Sequence, residues 1–264
     1  MQFEPEVFPF LRGERFDDKF SLQLNRIENR NGDKIPLDRI ALLERLVTGK
    51  RVVHVGCVDH SPAIIEREMS RETWLHGGLL RVAGECIGVD INEAGIDYMK
   101  TALAIRDLYC CDLTRQDLPV VSGLPLDFLL LGEILEHIEN PVSFLHSLRK
   151  RHFPHAVQRL LVTVPNAFRL DNYRLAKAGC EKINSDHCYW FTPFTLAKVL
   201  TRADFQLEGI HFVVHKKKAA SGLRKRWRHH LKKRFPLLRD TIVAVAVPVG
   251  SEAIDQLEST PLID

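Results

Sequence analysis

Nowhere in the 264 residues does an apolar run approach the roughly 20 residues that a membrane-spanning helix needs. The longest candidate, 241–249, is strand-like and runs into Pro248, so a transmembrane protein is excluded. Cysteine is scarce: the six (Cys57, Cys86, Cys110, Cys111, Cys180, Cys188) form no CxxC pair and are too few for a disulfide framework, so they are read as reduced thiols. The start, MQFEPEVFPFLRGERFDD, lacks the basic stretch and apolar core of a secretory signal, and the expectation is a cytoplasmic protein. The GxGxxG fingerprint is missing too, which disfavours a nicotinamide dehydrogenase. Acidic residues are absent from one stretch, 216–239, which holds eleven Lys or Arg and no Asp or Glu. Of 37 basic and 34 acidic residues, that leaves 26 basic against 34 acidic elsewhere, a body of net −8 joined to a +11 segment. An anionic partner is implied for that segment alone.

What remains is 45% hydrophobic and 27% charged, which excludes a disordered or fibrous chain and suits one large domain with appendages. Short runs rich in Val, Ile and Leu alternate with helical patterns, the signature of βαβ units. Strands are expected at 51–57, 86–91, 107–111, 127–131, 159–164, 206–214 and 241–247. The last two are separated only by the basic, helix-like insert 216–239, so they are expected to pair antiparallel at the sheet edge. The fold class is therefore α/β: a doubly wound, Rossmann-like, seven-stranded and mostly parallel sheet with an antiparallel terminal hairpin. Residues 1–47 read as an amino-terminal extension, with Asn31-Gly32-Asp33 as a turn and Asp38 capping a helix through Val47, and 48–264 as the main domain.

Ligands of doubly wound sheets lie across the carboxyl ends of the strands. The first strand, in VVHVGCVDHS, breaks at Gly56, where backbone can approach a ligand closely. The second, CIGVD, ends in Asp90, a carboxylate that can accept both hydroxyls of a ribose. The 34 residues from Gly56 to Asp90 exceed the usual spacing of about 20, so a longer first crossover is expected. The third strand ends YCCD, with Asp112 suited to accept from an exocyclic amine such as that of adenine, and the fourth leads into GEILEHIENP. Asp90 or Asp112 alone reads equally well as a strand-end cap, and Gly56 alone also fits, less well, a plain turn glycine. Their succession at three consecutive strand ends points to a nucleotide-like ligand.

This order of motifs, over about 48–248, resembles the class I S-adenosylmethionine-dependent methyltransferases. The stretches GEILEHIENPVSFLHSLRK, LLVTVPNAFRLDNY and DHCYWFTPFTLAKVLTRADF resemble the subgroup of ubiquinone-biosynthesis O-methyltransferases and bacterial glycan and natural-product methyltransferases. The resemblance implies S-adenosylmethionine as cofactor, held by Gly56, Asp90 and Asp112 with Glu133 beside it. It implies O-methylation of a small-molecule, glycan or lipid-linked acceptor. Two departures stand out: His54 replaces the family's acidic residue two before the first glycine, and Val58 and His60 replace two further glycines. They bear on how tightly the loop wraps the methionine moiety, and they motivate the rival reading of a non-catalytic binding protein that keeps the fold.

Methyl transfer from a sulfonium needs alignment and, for a hydroxyl acceptor, removal of a proton. Glu133, Glu136 and His137 stand at i, i+3 and i+4, so one helical turn can bring them to a shared face, with His187 of SDHCYWF in reach. Three readings fit. In the first, His137 or His187 is a general base, and these two are named as the catalytic candidates. In the second, carboxylates and imidazoles bind Mg²⁺ or Mn²⁺, as in the resembling site of small-RNA 2′-O-methyltransferases. In the third, the residues are structural. No metal is assigned, and zinc is disfavoured because Cys180, His187 and Cys188 have no second ligand pair at finger-like spacing. Asn166 reads as an acceptor contact or a turn residue, and Tyr189, Trp190 and Phe191 as core or pocket wall.

In the basic insert, Leu223, Trp227, Leu231 and Phe235 recur every four residues, followed by Leu238. The stripe reads as a helix lying on an anionic membrane, as one packed on its own sheet, or as a nucleic-acid contact. The first is preferred, with location at the inner membrane face, and nucleic acid is disfavoured.

Overall fold

The computed structural model describes residues 7–17, 38–59, 61–118, 125–153, 156–215 and 223–250. The expected Asn31-Gly32-Asp33 turn, His60 and Lys216 to Lys218 lie outside them.

Seven strands form one sheet: β1 (Arg51–Val55), β2 (Glu85–Asp90), β3 (Leu108–Cys110), β4 (Leu126–Gly132), β5 (Val157–Pro165), β6 (Phe205–Val213) and β7 (Thr241–Pro248). Their order is β3-β2-β1-β4-β5-β7-β6. The first five are parallel, while β7 enters antiparallel between β5 and β6. The expected terminal hairpin is present, with β6 as the outer strand.

Nine helices accompany the sheet among the described residues: α1 (Phe8–Arg12), α2 (Arg39–Val47), α3 (Pro62–Ser70), α4 (Leu75–Val82), α5 (Glu93–Thr101), α6 (Pro141–His152), α7 (Leu170–Lys177), α8 (Pro193–Arg202) and α9 (Leu223–Arg234). The central strands are apolar almost without interruption because both faces are covered. Val53, Leu129 and Leu131 point into one core layer with Leu145 of α6 and Leu196 of α8. Their neighbours Val52 and Leu130 point the other way, to Leu43 of α2 and Leu79 of α4. Such alternation follows from the two-residue period of a strand.

The long first crossover contains two helices, α3 and α4, rather than one. Asp38 caps α2 by accepting from the Ala41 amide (3.1 Å), as expected. The extension is not set apart from the domain, however. Leu42, Leu43 and Val47 of α2 belong to the core, and Leu11 of α1 packs on Ala197 of α8. No helix among the described residues is long and apolar enough to cross a membrane.

Register then places the site. β1, β2, β4 and β5 end at one edge, with Gly56, Asp90, Gly132-Glu133 and Pro165-Asn166 following or closing them. Thr241 pairs with both Pro165 and Val213, so the connection carrying α9 opens on that same edge.

Candidate active site

A cavity of about 1170 Å³ lies along these strand ends. Gly56, Val58, Asp90, Ile91 and Glu133 line one part of it; Glu136, His137, Asp186 and His187 line another; Arg169, Asp171 and Arg228 a third.

Gly56 has φ +70°, and a Cβ there would stand 2.8 Å from Ile134 Cδ1, so both backbone and space demand glycine. Asp90 accepts from the Val58 amide (2.9 Å) and the Asn92 amide (3.0 Å), one on each oxygen. A carboxylate has about four acceptor positions, which leaves each oxygen able to take a ligand hydroxyl. The Val58 side chain, where the resembling family has glycine, packs against Gly95, leaving 2.3 Å between its Cγ1 and an imagined Cβ. The loop thus keeps its backbone bond to Asp90 while its side chain is accommodated elsewhere. His54 is buried with His76, Nδ1 to Nδ1 3.2 Å, with rings stacked at 5.3 Å. Burial lowers both imidazoles, His76 to about 4, so the pair is neutral. The acidic residue of the family pattern is therefore replaced by a neutral buried pair.

Asp112 is not among the cavity-lining residues. Its Oδ1 accepts from the Thr114 amide (2.9 Å) and hydroxyl (2.6 Å), holding the turn after β3. The structure brings Gly56, Asp90 and Glu133 together, but not Asp112.

Glu133 follows β4 at φ +60°, unusual for a residue with a Cβ. Thr163 donates from its hydroxyl to Glu133 Oε1 (3.1 Å), and Arg39 lies 3.6 Å from the same oxygen. A 3-10 turn, Leu135–His137, then carries the next two groups, so Glu133 is not on the helical turn expected from its spacing. Ligand atoms of Glu136, His137 and His187 lie within 4.8 Å of one another.

The partners of this trio are specific. His137 Nδ1 meets Asp186 Oδ2 at 3.1 Å. His187 Nε2 meets the Asn184 side-chain amide at 3.2 Å. Each imidazole is thus held through one nitrogen. On the inner side, His187 Nδ1 and both oxygens of the fully buried Glu136 have no hydrogen-bond partner. Burial, then the Glu133 charge, pushes the Glu136 carboxyl well above the usual range. Burial, then His137, lowers His187. Leaving a buried carboxyl without a partner costs several kcal/mol.

Two residues behave otherwise than as acceptor contacts. Asn166 donates from Nδ2 to the Leu237 and Arg239 carbonyls (both 2.8 Å) and accepts from the Phe168 amide, so it ties β5 to the α9–β7 connection. Phe191 is core, whereas Trp190 lines the cavity with the Arg169 guanidinium 4.6 Å from its ring centre. Arg228 also lines it and pairs with Asp171, and no pattern in the insert had pointed there.

No curated protein matches the sequence. Among solved structures, the small RNA methyltransferase HEN1 superposes with a TM-score of 0.52 at 16% identity over 87% of this chain. This chain spans only 27% of that longer protein. A SAM dependent methyltransferase from Aquifex aeolicus aligns at 14% identity over 81% of this chain and 91% of its own, TM-score 0.49. The magnesium protoporphyrin IX methyltransferase of Synechocystis PCC 6803, with bound SAH, aligns at 14% over 79% and 80%, TM-score 0.46. The first of these supports the fold. The family described as "Methyltransferase domain" matches residues 28–209, well over half of the sequence, and this chain belongs to that family.

Proposed function

We propose that the protein is an S-adenosylmethionine-dependent O-methyltransferase that prepares its acceptor hydroxyl at a divalent cation, Mg²⁺ or Mn²⁺. The observation that carries the metal part is the inward trio of Glu136, His137 and His187, with three buried donor atoms left unpartnered. Although no metal is assigned from the sequence, oxygen and nitrogen donors in this number suit such an ion.

Gly56 and Asp90 are the residues that would hold the cofactor, with Ile91, 77% exposed yet lining the cavity, offering apolar surface beside them. S-adenosylmethionine, when bound, supplies an electrophilic methyl on a positively charged sulfur. Asp186 Oδ2 accepts from His137 Nδ1, the contact a carboxylate makes with a metal-binding imidazole, and so leaves His137 Nε2 its lone pair. Asn184 stands with its amide nitrogen toward His187 Nε2; with that amide turned so that its oxygen accepts from Nε2–H, His187, which burial keeps neutral, would offer its Nδ1 lone pair to a ligand. Glu136, His137 and His187 are the residues that would hold the cation, which would supply positive charge favouring the deprotonated hydroxyl. Glu133, anchored by Thr163 and Arg39, adds negative charge next to Glu136. A second reading draws on the His137–Asp186 contact, which equally describes a general base oriented by a carboxylate.

Calorimetric titration with S-adenosylmethionine and S-adenosylhomocysteine, beside Asp90→Ala, tests the cofactor site. Micromolar-range binding lost in the variant is expected, and no binding by folded protein overturns the reading. Mn²⁺ titration followed by electron paramagnetic resonance tests the metal. One bound ion, lost in Glu136→Gln, is expected. Turnover that survives chelation but is lost in His137→Ala and Asp186→Asn assigns the general base instead.

A further inference from the structure

The basic helix α9 turns two charged side chains inward and its indole outward. Two charged residues one turn apart reach inward: Arg228 pairs with Asp171 of α7, and Lys232, buried, pairs with Asp240 just before β7. Trp227 on the helix (60%), and Phe235 (48%) and Leu237 (38%) just after it, are exposed, while Leu231 is half-buried. The far end is fastened by Arg239, whose guanidinium donates to the carbonyls of Lys232, Lys233 and Phe212. The segments touching it expose further aromatics. Phe168 (50%) follows Asn166, which holds the Leu237 and Arg239 carbonyls, and Tyr173 (61%) lies on α7. Arg226 and Lys233 are exposed beside the outward apolar residues, and no acidic residue occurs anywhere in 216–239.

We propose that α9 and the turn after it form a docking surface for an anionic lipid bilayer. In a monomer in water the apolar surface of Trp227 and Phe235 stays wet, beside the exposed cations Arg226 and Lys233. At a bilayer the same arrangement lets the rings and Leu237 enter the acyl boundary while Arg226 and Lys233 meet headgroup charge. A nucleic acid would use the cations and stack on the aromatics, yet it offers no partner for Leu237. Charge complementarity and the aliphatic component together favour the membrane. Because the insert opens on the cofactor edge, and Arg228 and Asp240 also line the cavity, a docked molecule presents its cavity rim to the lipid. Docking itself does not depend on the methyl-transfer reading.

Cosedimentation of the full chain with vesicles of phosphatidylcholine plus phosphatidylserine, against phosphatidylcholine alone, tests this. Binding to the anionic vesicles only, weakened about tenfold or more in Trp227→Glu/Phe235→Glu with thermal stability unchanged, is the expected result. Substituting exposed positions avoids disturbing the Arg228 and Lys232 pairs, so loss of binding is not loss of fold. No binding to anionic vesicles overturns the proposal, as does undiminished binding of the double variant. Capture of a single-stranded oligonucleotide in place of vesicles overturns it as well and assigns the surface to nucleic acid. Calorimetry with S-adenosylmethionine, run without lipid, fails or succeeds separately.

Discussion

At Gly56 two independent costs meet in one residue. Alanine must adopt φ near +70°, at about 1–2 kcal/mol, and its methyl must displace Ile134 Cδ1 from 2.8 Å. Gly56→Ala is therefore expected to lower stability by about 2 kcal/mol, read from urea unfolding, and to weaken cofactor binding more than that. Removing Cδ1 with Ile134→Val should recover the steric part and leave the backbone part. Full recovery would show that φ carries no strain. The His54–His76 pair gives a pH dependence of definite sign. Both imidazoles are lowered by burial, His76 to about 4 against an ordinary 6.5. Their contribution is fully present above about pH 6.5, where folded and unfolded chains are both neutral. On acidification the unfolded state takes up protons first, so stability falls between about pH 6.5 and 4, for His76 by about 3 kcal/mol in all. His76→Asn, which keeps a polar partner for His54, should flatten the slope of the urea midpoint over that interval. An unchanged slope would place the titrating groups elsewhere.

The strands and α2 were legible in the sequence because burial on two faces leaves long apolar runs, and a cap leaves a local signature. β4 and β5 are unmistakable in LDFLLLG and VQRLLVTVP, and Asp38 announces α2. Strand-end placement also brought Gly56, Asp90 and Glu133 to one cavity. Asp112 is different: its strand position was read correctly, but whether its carboxylate faces a ligand or Thr114 depends on a turn that strand patterning does not determine. The trio of Glu136, His137 and His187 was nameable from residue types, while the unpartnered state of its donors emerges only when distant segments are packed. The face that α9 turns inward was illegible for the same reason. Its four-residue apolar spacing is a local fact, whereas Asp171 and Asp240, which choose the docked face, lie 57 and 8 residues from their partners. If these pairs hold the helix, Asp240→Ala should cost about 3 kcal/mol by stranding a buried ammonium. It should also make 223–239 the first site of limited proteolysis. An intact helix with unchanged stability would mean that the Arg239 contacts suffice.

Across the whole molecule, docking of α9 on lipid would put the cofactor edge to a second use. The sequence carries net −8 outside 216–239 and +11 within it, and the described part of that basic segment, 223–239, leads into β7 at the cofactor edge. An anionic surface attracts that segment and repels the rest, which orients the molecule before any apolar residue makes contact. The attraction is screened over about 10 Å at 0.1 M salt and about 3 Å at 1 M. Vesicle affinity should accordingly fall steeply as salt rises, whereas stability, resting on the apolar layers around Leu129, Leu130 and Leu161, should change little over the same range. Methylation of an acceptor embedded in anionic vesicles should lose rate in parallel with binding, while a soluble acceptor of the same chemistry keeps its rate. Measuring both acceptors across one salt series separates an enzyme limited by reaching its surface from one limited by its chemistry. A membrane-borne acceptor whose turnover ignores salt would mean that attraction of the basic segment does not govern delivery.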